Sequence, residues 1–154
     1  NSSLKSRYRL MWMDAVYEPG EVKVVAYNKD GKAVAEKTVR TAGKPHHIEL
    51  VSNRNELTAD GKDLAYVTVK VVDKDSNLCP TDSRLIHFSV KGAGKFRAVA
   101  NGDPTNLEQF HLPKMHAFHG MLTAIVQAGE IAGDLVLTAK ASGVKTGTVH
   151  LQAK

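Results

Sequence analysis

Leu64-Ala65-Tyr66-Val67-Thr68-Val69-Lys70-Val71-Val72-Asp73 is the stretch that decides the fold. Val67, Val69 and Val71 fall on one side of an extended chain, with Thr68 and Lys70 on the other. That two-residue period, carried by β-branched residues, is the pattern of a strand with one face in a core. Downstream, Lys74 to Asn77 forms a polar turn. Leu85 to Val90 then alternates again, with Ile86, Phe88 and Val90 set against Leu85, His87 and Ser89. Gly92-Ala93-Gly94 turns into Lys95 to Ala100, and Asn101 to Lys114 is a long polar loop with two prolines, Pro104 and Pro113. Met115 to Gln127, Asp134 to Ala141 and Val144 to Ala153 complete the series. Met115 to Gln127 is long enough for a helix. However, Gly120 sits in its middle, and Leu122, Ala124 and Val126 alternate with Thr123, Ile125 and Gln127, so it reads as one strand. Upstream, His47 to Val51 is a strand and Asn53 to Gly61 a polar connection. Seven or eight short strands at this spacing predict an all-β, immunoglobulin-like β-sandwich over residues 46–154.

Residues 1–45 read differently. Tyr8, Leu10 and Trp12 alternate with Arg9, Met11 and Met13, and Tyr17-Glu18-Pro19-Gly20 is a turn. Strands follow at Glu21 to Tyr27 and Ala33 to Val39, joined by Asn28-Lys29-Asp30-Gly31. Three strands are marginal alone. The expectation is a partial three-stranded unit, the C-terminal part of a small β domain whose opening strands precede Asn1. Thr41 to Pro45 reads as a linker. The opening Asn1-Ser2-Ser3, with no initiator Met, gives the expectation of a piece of a longer protein.

Composition narrows the function classes. The net charge is +5, but Lys and Arg are interleaved with Asp and Glu, and the chain has one Trp, four Tyr and four Phe. Nucleic-acid readers cluster basic residues with exposed aromatics, so no nucleic-acid partner is expected. No run of ~18 apolar residues exists, so no membrane-spanning helix and no membrane partner are expected. Cys79, the one cysteine, offers neither an internal disulfide nor a CxxC metal pair.

The motifs point to structure more than to chemistry. Asp73-Lys74-Asp75-Ser76-Asn77 mimics the start of a calcium loop, but Leu78 and Arg84 stand where Gly and Glu are needed. Gly92-Ala93-Gly94-Lys95 lacks the following Ser or Thr and the leading Gly of a phosphate loop. His111, His116 and His119 are close in sequence, yet on a strand His116 and His119 point to opposite faces. No metal, cofactor or catalytic residue is expected. Glu49, Asp103 and Glu108 offer no evident pairing for glycoside hydrolysis, and GxSxG is absent. Trp12 reads as core, with a sugar-stacking platform as the alternative.

Asn101-Gly102-Asp103-Pro104-Thr105 is the most distinctive string: Asn-Gly suits left-handed geometry, and Asp-Pro forces an extended step. Within the loop it opens, Asn101, Asp103, Glu108, Phe110 and His111 are candidate contacts for a neighbouring domain or a glycan. The interdomain reading is favoured, because Phe110 is the aromatic at hand in the loop.

Two stretches carry a resemblance. Tyr17 to Tyr27, Gly31-Lys32 and Val39-Arg40-Thr41-Ala42-Gly43 resemble a short β domain in the C-terminal region of bacterial glycoside hydrolase family 2 enzymes, the β-galactosidase-like proteins of Bacteroides. Leu57 to Leu64, Val71-Val72-Asp73 and Asn101 to Thr105 are similar to the module that follows, and also to bacterial immunoglobulin-like domains of the invasin type. Cys79 departs from the small or apolar residue the pattern implies. The resemblance implies catalytic glutamates on an upstream barrel, and no position here matches them. It further implies a non-catalytic accessory region whose partners are the barrel and sandwich domains of its parent chain. That parent would act in carbohydrate degradation, in a periplasmic, extracellular or cell-surface location. A carbohydrate-binding module and an adhesin-like domain are the alternatives.

Overall fold

The computed structural model describes residues 13–154, and the chain divides into two compact units, Asn1–Thr41 and Ala42–Lys154. In the first, β1 (Glu21–Tyr27) and β2 (Ala33–Arg40) form an antiparallel hairpin. Its turn is organised by Asn28, whose Oδ1 accepts hydrogen bonds from the Asp30 and Lys32 amides at 3.0 and 2.9 Å. Cross-strand pairing sorts the side chains by face. Val22 opposes Val39 and Ala26 opposes Ala35 on one face, with Val24 between them. The other face carries the Lys23–Glu36 ion pair at 2.9 Å and the Arg40–Glu21 pair at 2.7 Å. The strand expected around Tyr8, Leu10 and Trp12 lies outside the described residues, as does any core role for Trp12.

The second unit is a β-sandwich. One sheet has five strands in the order β4 (Glu56–Leu57), β11 (Gly147–Ala153), β10 (Gly133–Lys140), β6 (Leu85–Gly92) and β8 (Lys114–His116). The other has four: β3 (His47–Ser52), β5 (Leu64–Val72), β9 (Met121–Ala128) and β7 (Gly94–Ala100). No helix occurs among the described residues. Each strand buries alternate residues between the sheets, as period-2 patterning requires. Ala65, Val67, Val69 and Val71 of β5 meet the same core as Leu122, Ala124 and Val126 of β9. Ile86 and Phe88 of β6 and Leu135 and Leu137 of β10 close it from the other sheet. The all-β sandwich expected from Leu64–Asp73 is therefore the fold.

Two local expectations need correction. Met115 to Gln127 is not one strand. It breaks into β8 and β9 at a turn whose central residues, His119 and Gly120, both have positive φ, 51° and 73°. Phe118 and Met121 exchange both backbone hydrogen bonds across it at 3.0 Å. Two positive-φ residues are what a tight hairpin turn with right-handed strand twist needs. Gly120 also lies too close to the Cys79 carbonyl for any side chain. The opposite-face argument for His116 and His119 lapses with the strand. Second, the polar stretch Asn53 to Gly61 contains β4, which pairs in parallel with the end of β11.

A buried carboxylate ties the entry of the second unit to its edge. Asp73, 2% exposed, accepts hydrogen bonds from the Gly43 amide at 2.7 Å, from the Asp75 and Asn77 amides at 2.9 Å, and from Asn77 Nδ2. The Gly43 bond is the largest influence on its acidity. Burial opposes it, but with the Asn77 and Asp75 donors the bond holds the carboxyl down to about 2. The calcium-like string is thus a self-satisfied turn around its own first Asp. Nearby, burial raises the Cys79 thiol, and the Asp73 and Asp82 charges add to that.

Candidate functional site

Where β7 ends, the chain leaves the sandwich at Asn101 and returns at Lys114. It is held to the strands at two points. The Val99 amide donates to the Phe110 carbonyl at 2.8 Å, and the Phe88 amide to the Pro113 carbonyl at 2.8 Å. Between them the loop is built from short polar side chains that cap their own backbone. Asn101 Oδ1 accepts from the Asp103 amide at 3.1 Å, Asp103 Oδ1 from the Thr105 amide and hydroxyl at 2.8 Å, and Asn106 Oδ1 from the Glu108 amide at 2.9 Å.

Three further contacts pin the loop to β8. Asn101 Nδ2 donates to the His116 carbonyl at 3.0 Å. Glu108 takes the His116 amide at 3.1 Å on one carboxylate oxygen and faces His116 Nδ1 at 3.0 Å with the other. Burial works against the Glu108 charge, but the His116 amide and ring outweigh it and hold the carboxyl below its ordinary value. Asp103 is also held low, first by the Thr105 amide and then by the Thr105 hydroxyl, with the His119 charge adding. Both groups are therefore carboxylates at neutral pH.

Loop and turn together enclose an open depression of about 520 Å³. Asn101, Asp103, Asn106 and Glu108 form its polar side, and His116 and Phe118 face them. Within it, Asn106 Nδ2 is buried without a hydrogen-bond partner among the described residues. It sits near enough to Glu108 to help hold that carboxyl down, but not in hydrogen-bond geometry.

Of the candidate residues, the structure brings Asn101, Asp103 and Glu108 together. Phe110 and His111 are exposed on the loop's far end and do not line the depression. Asn106 also lines it, and so does Phe118, which sequence reasoning missed. Phe118 was hidden inside a supposed strand. A signal for it existed: the buried positions run Met115, Ala117 and then Leu122, Ala124, Val126, a change from odd to even that marks a break between them. No cluster of three or more His, Cys, Asp or Glu suited to a metal occurs among the described residues.

The chain is similar to known proteins. The family described as glycoside hydrolase family 2 C-terminal domain 5 matches residues 48–150, and a domain of unknown function, DUF4982, matches residues 2–35. The β-galactosidase BoGH2A of Bacteroides ovatus is 44% identical over 138 residues, 90% of this chain and 16% of that protein. A β-galactosidase of Thermoanaerobacter pseudethanolicus is 33% identical over 111 residues, 72% of this chain and 13% of that protein. A solved glycosyl hydrolase family 2 member from Bacteroides cellulosilyticus superposes with a TM-score of 0.85 at 31% identity, covering 91% of this chain and 18% of that chain. The chain thus spans between 13% and 18% of the length of these relatives.

Proposed function

We propose, because the chain belongs to the glycoside hydrolase family 2 C-terminal domain 5 family, that it is a non-catalytic accessory region of a larger family 2 glycosidase and works by packing against other domains of that parent. The single observation that carries the reading is the match of the sandwich, residues 48–150, to a C-terminal domain of multidomain glycosidases. The hairpin of the first unit supports the packing role. Its polar face satisfies itself with two ion pairs. Its other face leaves Val22 and Val39 64% and 62% exposed. An isolated two-stranded sheet is marginal in water, so an apolar face of this kind gains most from being covered. The parent's activity would be hydrolysis of β-galactoside-type bonds, as the names of the relatives suggest, with the acid and nucleophile supplied elsewhere in the parent.

Two measurements test this. The purified 154-residue chain should not cleave 4-nitrophenyl β-galactoside above the buffer rate; turnover that survives repurification would refute the accessory reading. In the full parent, Val22→Asp with Val39→Asp should lower the melting temperature, while the sandwich transition of the 154-residue chain stays unchanged. An unaffected parent would mean that the hairpin face packs on nothing.

A further inference from the structure

We propose that the outward face of the five-stranded sheet is a docking surface for an acidic polysaccharide, one that carries uronate or sulfate groups along its chain. This goes beyond the accessory role, which needs no ligand and stands if the face binds nothing.

Charges of both signs are interleaved along the sequence, but the strand register sorts them. In β6 and β10 the residues that alternate with the core positions Ile86, Phe88, Leu135, Leu137 and Ala139 point away from the other sheet. Cross-strand pairing sets them in rows. Lys114 of β8 opposes His87 of β6, which opposes Lys140 of β10. In the next row Ser89 opposes Thr138, which opposes Thr148 of β11. In the third, Lys91 opposes Val136, which opposes His150. No acid stands in these three rows. Lys91, Lys114 and Lys140 are exposed and make no ion pair among the described residues. The carboxylates at the border do not offset them: Glu108 is spent on His116 and Glu56 on Lys154, while Asp134, opposite Gln152, lies in the row beyond Lys91. The outward face of the four-stranded sheet differs. Its Lys70 has Glu49 at 3.7 Å, and its middle pairs Tyr66 with Ile125 and Thr68 with Thr123. Three ammonium groups lined up without a counter-charge raise a positive potential that draws anions to one side of the sandwich.

Spacing and chemistry narrow the anion. Strands lie ~4.8 Å apart and alternate residues ~7 Å along a strand, so the three lysines are rooted ~10–15 Å from one another. One small anion cannot meet all three, whereas charges repeated along a polymer can. Lysine is a point charge without a guanidinium fork, so the face reads charge and not the shape of a carboxylate or sulfate. The hydroxyls of Ser89, Thr138 and Thr148 lie between the two lysine-bearing rows and can exchange hydrogen bonds with sugar hydroxyls. Other polyanions lack a foothold. Protein interfaces are poor in Lys at their centre and rest on aromatic or large apolar anchors, and the one apolar side chain in these rows is the half-buried Val136. Nucleic-acid bases would find no aromatic ring to stack on. A membrane interface would find no Trp, Phe or Leu to admit.

The test is a ¹⁵N–¹H NMR titration of the 154-residue chain at low salt. The probes are hexagalacturonate, a sulfated dextran oligosaccharide, neutral dextran of the same length, hexaglutamate and vesicles rich in phosphatidylglycerol. At least one acidic oligosaccharide should give saturable shifts confined to residues 87–91, 114, 136–140 and 148–150, and the one that binds more tightly identifies the acidic group. Neutral dextran should give none. Between about 50 mM and about 300 mM salt the affinity should fall at least tenfold, because the screening length shortens. Replacing Lys91, Lys114 and Lys140 together with Gln should weaken binding at least tenfold. Replacing Lys44, Lys74 and Lys95 with Gln removes the same charge from exposed positions off this face and should change it less than twofold. Lys140→Gln alone should weaken binding severalfold, and stands in if the triple variant does not fold. The proposal is overturned by no saturable shift with either acidic oligosaccharide, by equal losses in the two triple variants, or by neutral dextran binding as well. Hexaglutamate or the vesicles binding this face more tightly than both acidic oligosaccharides would make it a seat for an acidic protein or a lipid surface, and overturn it too.

Discussion

Val69→Asp offers the sharpest test of the sandwich register. Val69 lies mid-strand in β5, opposite Leu50 of β3 and Leu122 of β9, and is 0% exposed. Losing its burial costs about 2 kcal/mol. The aspartyl group is close to valine in size, so overpacking adds little. Its ionisation decides the rest. With no polar partner in that core the carboxyl must be buried neutral, and protonating a group of ordinary pKa ~3.9 at pH 7 costs about 3 units at 1.36 kcal/mol each, or ~4 kcal/mol. Burying the neutral acid without a hydrogen bond adds ~1–3 kcal/mol. The sum, about 7–9 kcal/mol, rivals the ~5–15 kcal/mol that holds a whole domain together. The pH dependence follows with its sign. The folded-state pKa is raised above the unfolded one, so the damage grows as pH rises above ~3.9 and about 4 kcal/mol of it is absent at pH 4. Lys70→Asp is the control. Lys70 is on the other face, half-buried, and 3.7 Å from Glu49, so its replacement costs a surface pair and a like-charge contact, together about 1 kcal/mol. Calorimetry of the 154-residue chain at pH 7 and pH 4 reads both, at roughly 4 °C per kcal/mol for a unit of this size. Equal melting temperatures for the two variants would refute the register. A Val69→Asp defect that does not shrink at pH 4 would refute the buried-acid argument.

Two further outcomes follow from local geometry. Asp73, whose folded pKa of about 2 lies below the ordinary 3.8, contributes stability that is present above 3.8 and lost as pH falls through about 2; Asp73→Asn, which turns one acceptor into a donor facing the Gly43 amide, should destabilise at neutral pH and flatten the acid limb of a melting-temperature profile over that window. Gly120→Ala and Gly102→Ala share a positive φ, 73° and 79°, but a Cβ at Gly120 would sit 2.3 Å from the Cys79 carbonyl oxygen while one at Gly102 meets nothing within 4 Å. Gly102→Ala should therefore cost about 1 kcal/mol of backbone strain and Gly120→Ala clearly more, read as midpoints in urea; equal midpoints would show that the turn relaxes freely.

Much of the fold was legible because one face of each strand had to be apolar. β5, β6 and β10 each carry the alternation that burial enforces, and β1 and β2 are separated by an Asn-Lys-Asp-Gly turn that states its own geometry. β4 was illegible for the opposite reason. Two residues carry no period, and its parallel pairing with β11 comes from a partner nearly a hundred residues away. The role of Asp73 was hidden as well. Its string reads as a solvated turn, and only the return of Gly43, brought alongside by the pairing of β3 with β5, makes the carboxylate a buried hub.

The candidate site divides along the same line between local and distant causes. Asn101 and Asp103 were readable because Asx side chains that cap their own loop announce themselves within a few residues, whereas Glu108 accepts from His116 of β8. What they face is set by topology. β6 pairs with β8, β7 pairs with β9, and the turn between β8 and β9 is thereby carried to the mouth of the loop that leaves β7. Phe118 occupies the first corner of that turn. It arrives there because His119 and Gly120 accept positive φ, and because the Gly120 amide is anchored to the Asp82 carbonyl at 2.9 Å. A loop aromatic such as Phe110 is selected by sequence proximity, yet its backbone carbonyl is spent on Val99 and its ring, 56% exposed, lies away from the polar cluster. With Phe118 in place, the depression has a polar wall from the loop and an aromatic wall from the turn.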